Sequence, residues 1–159
     1  MEEKDININI NYKEYNSACN LPDNYKNLLE KAIEATKSSY APYSGFNVGA
    51  AVLMGNGEIV TGSNQENAAS PSGLCAERVA LFAAHHNYPS SPVKAIAIVG
   101  SQNGILTSTL TYPCAACIQV MVESQKRGGA PIAVIVGSAG KIQVMESVDA
   151  LVPFSFSSF

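Results

Sequence analysis

The apolar positions change their period along the chain, and the changes mark out its elements. Ile6, Ile8 and Ile10 alternate with Asn7 and Asn9, a period of two that reads as a short edge strand, with a loose extension as the competing reading. Polar residues and Pro22 mark a loop over 16–24, and Asp23 stands where a helix cap is expected. Tyr25, Leu28, Leu29, Ala32, Ile33, Thr36 and Tyr40 then recur at helical spacing, until Ala41-Pro42-Tyr43-Ser44-Gly45 ends the helix. Strands are predicted over 48–54 and 58–62, joined by the tight-turn sequence Gly55-Asn56-Gly57. A helix is expected over 74–87, and the continuous apolar run 93–99 reads as a buried strand. The stretch 100–111 reads as a loop. Pro113 is expected in the first turn of a helix that runs to Lys126 and stops at Gly128-Gly129. Strands over 131–136 and 141–145 follow, then a short turn capped by Ser147. Strands that alternate with helices require crossovers, so the expected class is α/β: one mixed five-stranded sheet with helices on both faces. Residues 22–159 are expected to form that single domain, with 1–21 as an N-terminal extension.

A chain of 159 residues suits one domain. Only 14% of its residues are charged while 47% are hydrophobic, a balance that points to surface hidden in an oligomer. The ten Lys and Arg are scattered and the net charge is −3, so no basic stripe is available to track a nucleic-acid polymer. No apolar run reaches the roughly 18 residues of a membrane span. The acidic start, Met1-Glu2-Glu3-Lys4-Asp5, lacks the basic-then-apolar order of a secretion signal. The expected compartment is therefore the cytoplasm, where thiols stay reduced.

In that setting the cysteines carry chemistry. Cys114 and Cys117 are three apart at a predicted helix start and share a face; Cys75 begins the other predicted helix. Helix N-termini favour thiolates, so three sulfurs from two helix starts make a zinc site. His85 and His86 lie roughly 15 Å along the helix from Cys75 and read as ordinary last-turn residues. Cys19, alone in a loop, reads as incidental. Three protein ligands leave a position open, the pattern of a catalytic zinc. Glu77, two residues after Cys75, reads as a proton carrier beside that position, against the plainer alternative of a solvated helix charge. A redox dithiol at Cys114–Cys117 is the rival reading of that pair. Against it stands the spacing: Cys75-Ala76-Glu77 followed by Pro113-Cys114-Ala115-Ala116-Cys117 matches the all-cysteine form of the nucleobase deaminase signature.

The chain resembles cytidine deaminases of the small, homotetrameric, three-cysteine class. Besides the two zinc motifs, Ala41-Pro42-Tyr43-Ser44-Gly45-Phe46, Asn64-Gln65-Glu66-Asn67 and the tail Leu151-Val152-Pro153-Phe154-Ser155-Phe156 look like segments of that family. The resemblance implies a cytidine deaminase-like fold and one Zn2+ per subunit on Cys75, Cys114 and Cys117. It implies hydrolysis of cytidine and deoxycytidine to uridine and deoxyuridine with release of ammonia, by zinc-bound hydroxide with Glu77 as shuttle, as in pyrimidine salvage. It further implies that Asn64 and Glu66 bind the ribose 3′-hydroxyl, that Phe46 packs on the nucleoside, and that the Ala76 main chain holds the base. Phe156 would reach in from a neighbouring subunit of a homotetramer with shared active sites. Arg78 would sit against a zinc thiolate and offset the negative charge of three sulfurs. The plainer readings are core or interface aromatics for Phe46 and Phe156, turn residues for Asn64 and Asn67, and a surface cation for Arg78. Ile118 stands where the family commonly has Arg, and Ser70 where an aromatic is frequent. The competing functions are deamination of another aminopyrimidine nucleoside or antibiotic, and a non-catalytic zinc-stabilised binding module.

Overall fold

A computed structural model describes residues 3–158. Met1 and Glu2, at the head of the expected extension, and Phe159 lie outside the described residues. The strands are β1 (Lys13–Tyr15), β2 (Phe46–Met54), β3 (Ile59–Ser63), β4 (Val93–Gln102), β5 (Ile105–Leu106), β6 (Ala133–Gly137) and β7 (Ile142–Met145). The helices are α1 (Asp23–Ala35), α2 (Ala76–Asn87) and α3 (Ala115–Gly128). The order across the sheet is β1-β7-β6-β4-β2-β3, with β5 paired to β4. Among the described strands only β4 and β6 run parallel, and α3 is the crossover between them.

The central strands alternate their side chains between two cores. Ala50, Val52, Ile96, Ile98, Val134 and Val136 face one side, together with buried residues of α2 and α3. Ala51, Ala95, Ala97, Val99, Ala133 and Ile135 face the other, with Leu28, Leu29 and Ala32 of α1. The sheet is thus mixed and covered on both faces, but it has seven strands among the described residues where five were expected. The two additions are the two-residue β5, inside the expected loop, and β1.

The edge strand forms later than the Ile/Asn alternation predicts. Residues 6–10 join no strand among the described residues, and Ile6, Ile8 and Ile10 are 77%, 50% and 50% exposed. Pairing starts at Lys13, where polar contacts set the register: Lys13 meets Glu146 at 2.7 Å, and Glu14 meets Lys141 at 3.2 Å and Gln143 at 3.0 Å. Two caps also shift. Asp23 is the first helical residue, not the cap; Pro22 holds the cap position and its carbonyl accepts from Lys26 N–H. Pro113 lies outside α3, because Cys114 takes the extended cap conformation. Ser147 caps its short turn as expected, accepting from Asp149 N–H.

Helices approach this sheet closely where it carries glycine. A Cβ on Gly49 would lie 2.0 Å from the Ala32 carbonyl oxygen of α1. One on Gly62 would lie 2.5 Å from Ala80 N and 2.7 Å from Ala76 O, so Gly62 sets how deeply the start of α2 seats on β3. Gly62→Ala is expected to destabilise the fold by about 1–3 kcal/mol, since backbone and not a flexible side chain must give way. Urea denaturation measures this, and an unchanged midpoint would refute the close approach.

Candidate metal centre

The N-termini of α2 and α3 converge, and each begins the same way. Cys75 and Cys114 hold the cap positions with extended backbone, and their carbonyls accept the first helical N–H groups, from Val79 and Ile118. Cys117 follows in the first turn of α3, fully buried. The sulfurs of Cys75 and Cys114 lie 3.8 Å apart, those of Cys114 and Cys117 3.5 Å apart, and all three fall within 4.8 Å of one another. Thiolates bound to one tetrahedral zinc at about 2.3 Å would be separated by about 3.8 Å, so the set fits a single ion. Neither histidine belongs to it: His85 Nε2 meets Ser124 Oγ at 2.9 Å and ties α2 to α3. Cys19 is exposed in a separate turn.

The electrostatics suit a bound dication. Burial and the neighbouring Glu77 carboxylate push the Cys117 thiol up, so its ionisation calls for a nearby positive charge. Burial also opposes ionisation of Cys114, but the N–H groups of Cys117 and Ala116 and the adjoining thiols outweigh it and bring that thiol down. Arg78 supplies one fixed cation. Its Nη2 lies 3.7 Å from Cys75 Sγ, and its buried Nε has no hydrogen-bond partner among the described residues. Ile118 packs against the core instead of adding a second cation.

Glu77 occupies the second position of α2 and is only 4% exposed. Burial raises its carboxyl above the ordinary range, while its own N–H, Arg78 and the Cys117 side chain pull the other way. A carboxyl whose acidity burial weakens in this way is suited both to take and to give a proton. Ala76, beside it, is fully buried.

A recess of about 510 Å³ opens beside Cys75 and Arg78 and is lined by Tyr43, Asn64, Glu66 and Ser70 among others. Two expected motifs form its wall, and the chain pins them together. Tyr40 N–H donates to Asn64 O at 3.0 Å and Glu66 N–H to Tyr40 O at 2.8 Å. Glu66 Oε1 accepts from the backbone N–H groups of Tyr43 and Ser44, at 2.9 and 3.1 Å, so this carboxylate also holds the 41–45 turn. A hydrogen bond with the Ser44 side chain, together with these two N–H groups, holds its carboxyl below the usual carboxylate range against the opposing effect of burial. Gln65 and Leu74 exchange two backbone bonds that close the 66–73 loop, where Asn67 Oδ1 accepts from Ala69 N–H.

The remaining expected residues are not among the lining of this recess. Phe46 opens β2, with its ring over Gly100. Phe156 is 68% exposed on a tail laid along α3, where its carbonyl accepts from Gln119 Nε2 at 2.8 Å and that of Ser157 from Lys126 Nζ at 2.6 Å. The spacing of residues could not reveal Glu66 and Asn64 as backbone clamps, because their partners lie about twenty positions earlier in the chain.

The family model described as "Cytidine and deoxycytidylate deaminase zinc-binding region" matches residues 22–128. The cytidine deaminase of Halalkalibacterium halodurans is 45% identical over 96 residues, covering 60% of this chain and 68% of that protein. The Mycobacterium tuberculosis cytidine deaminase is 38% identical over 104 residues, covering 65% and 74%. The crystal structure of a Burkholderia pseudomallei cytidine deaminase superposes with a TM-score of 0.70 at 38% identity, covering 82% of this chain and 97% of the other.

Proposed function

Because the chain belongs to the zinc-dependent cytidine deaminase family, we propose that residues 22–159 catalyse hydrolysis of cytidine and deoxycytidine to the uracil nucleosides and ammonia, with residues 1–21 as an extension. The observation that carries this is the meeting of three sulfurs and one buried carboxyl at two helix starts. Cys75, Cys114 and Cys117 would hold the zinc, which supplies Lewis acidity that makes water a nucleophile at neutral pH.

The protein's own groups do the rest. Glu77 takes a proton from the attacking water and delivers it to N3 of the cytosine as oxygen bonds to C4. It then passes the second proton to the amino group, the C4–N bond breaks, and ammonia leaves. Arg78 offsets the sulfur charge. Asn64 and Glu66 hold the ribose 3′-hydroxyl, the Ala76 main chain orients the base, and Phe46 packs on the nucleoside. Phe156 is read as serving a neighbouring copy in a homotetramer. Support comes from the low charge content and from exposed Phe82, Phe154 and Phe156. No helix among the described residues is long and apolar enough to cross a membrane. Thiol ligands suit a reducing compartment, in keeping with a cytoplasmic salvage enzyme.

Free nucleoside is the expected substrate. Glu66 would repel a 3′-phosphate, and the one cation lining the recess, Arg78, is engaged by Cys75. The kcat/KM for cytidine is expected to exceed that for cytidine 3′-monophosphate and for single-stranded DNA by roughly a hundredfold. Loss of cytosine absorbance measures this, and comparable rates on the polymer would overturn the assignment of Glu66.

A further inference from the structure

We infer that Ser39 is a positioning residue for nucleoside binding: its hydroxyl locks the Asn64 amide so that one Nδ2–H is presented to the sugar. This rests on the reading of Asn64 and Glu66 as the sugar-binding pair.

The hydrogen bonds around Asn64 leave its amide one orientation. Val48 N–H can only donate, and it meets Asn64 Oδ1 at 2.8 Å. The Phe46 carbonyl can only accept, and it takes one Nδ2–H at 2.9 Å. The Ser39 hydroxyl then donates to the second lone pair of Oδ1, at 2.5 Å. The carbonyl oxygen is thereby saturated. The second Nδ2–H has no partner among the described residues, and Asn64 lines the recess. An oxygen that accepts two donors also polarises the amide, which strengthens the remaining N–H as a donor.

Ser39 differs from its neighbour in this respect. The Ser38 hydroxyl meets Ala35 O at 3.0 Å and Ser63 Oγ at 3.3 Å, whereas that of Ser39, at the end of the turn after α1, reaches the Asn64 amide itself. Without it, Oδ1 keeps one bond and a half-buried lone pair. The amide then becomes freer to rotate away from the sugar.

The test pairs a residue change with a substrate change. Zinc-loaded wild type, Ser39→Ala, Ser39→Cys and Ser39→Thr are each assayed on cytidine and on 3′-deoxycytidine. Wild type is expected to show a KM for 3′-deoxycytidine about tenfold above that for cytidine. Ser39→Ala and Ser39→Cys should raise the cytidine KM roughly fivefold, with kcat within about twofold and the 3′-deoxycytidine KM unchanged. Ser39→Thr, which keeps the hydroxyl, should restore the wild-type gap. Equal increases on both substrates, or an unchanged cytidine KM in a folded variant, would overturn the role of Ser39. The cysteine variant, which keeps a γ atom but replaces the hydroxyl with a weak S–H donor, gives the result if alanine disturbs folding. If wild type itself ignores the 3′-hydroxyl, the sugar-binding reading fails first and the role of Ser39 with it.

Discussion

Glu77→Gln is expected to retain zinc and lose turnover. Glutamine keeps the shape of the side chain, so the 4% exposed position stays filled and α2 keeps its start. What disappears is a group that can carry a proton from water to the base and on to the departing amine. Losing a general acid–base group costs typically 10²–10⁴-fold; in the proposed mechanism one residue serves both transfers, so kcat should fall by about 10³-fold or more. Zinc content by elemental analysis should stay at the wild-type level, because the fit of the three sulfurs does not involve the carboxylate. Turnover within tenfold of wild type, or loss of zinc from a folded variant, would contradict the division of labour between Glu77 and the thiols.

Cys117→Ser is expected to lose both. Its sulfur is fully buried, 3.5 Å from Cys114 Sγ and beside Glu77. Serine puts a poor zinc donor there and leaves two sulfurs to hold the ion. Zinc affinity should drop on the order of a hundredfold or more, with turnover falling in proportion to the zinc lost. Competition with a chromogenic chelator measures the affinity. Cys19→Ser is the control: that thiol is exposed and outside the cluster, so affinity and rate should not change. Wild-type affinity in Cys117→Ser, or a loss in Cys19→Ser, would mean the ligand set is misassigned.

The metal centre was legible in the sequence because its information is local. Cys114 and Cys117 share one helical turn, and Cys75-Ala76-Glu77 opens another; only their meeting needed the fold. The two-sided core was legible for the same reason, since a continuous apolar run such as that along β4 reports burial on both faces directly. What failed was pairing. The Ile6–Ile10 alternation has strand character, but a strand needs an edge, and the charges of Lys13 and Glu14 place that edge further along the chain. β5 escaped because two residues carry no period. The caps were misplaced by one or two residues, because Asp23 and Pro113 have the right chemistry for a helix start while Pro22 and Cys114 have the right backbone. Ser39 was invisible because its partner lies 25 residues away and nothing periodic joins them.

The central claim is that Cys75, Cys114 and Cys117 together hold one zinc on which deamination depends. Its most direct measurement is a zinc titration of chelator-stripped protein, following ammonia release from cytidine at each addition. The rate should climb from near zero, in proportion to zinc, and level off at one ion per chain. A full rate before any zinc is added, or no ammonia from the fully loaded protein, would contradict it.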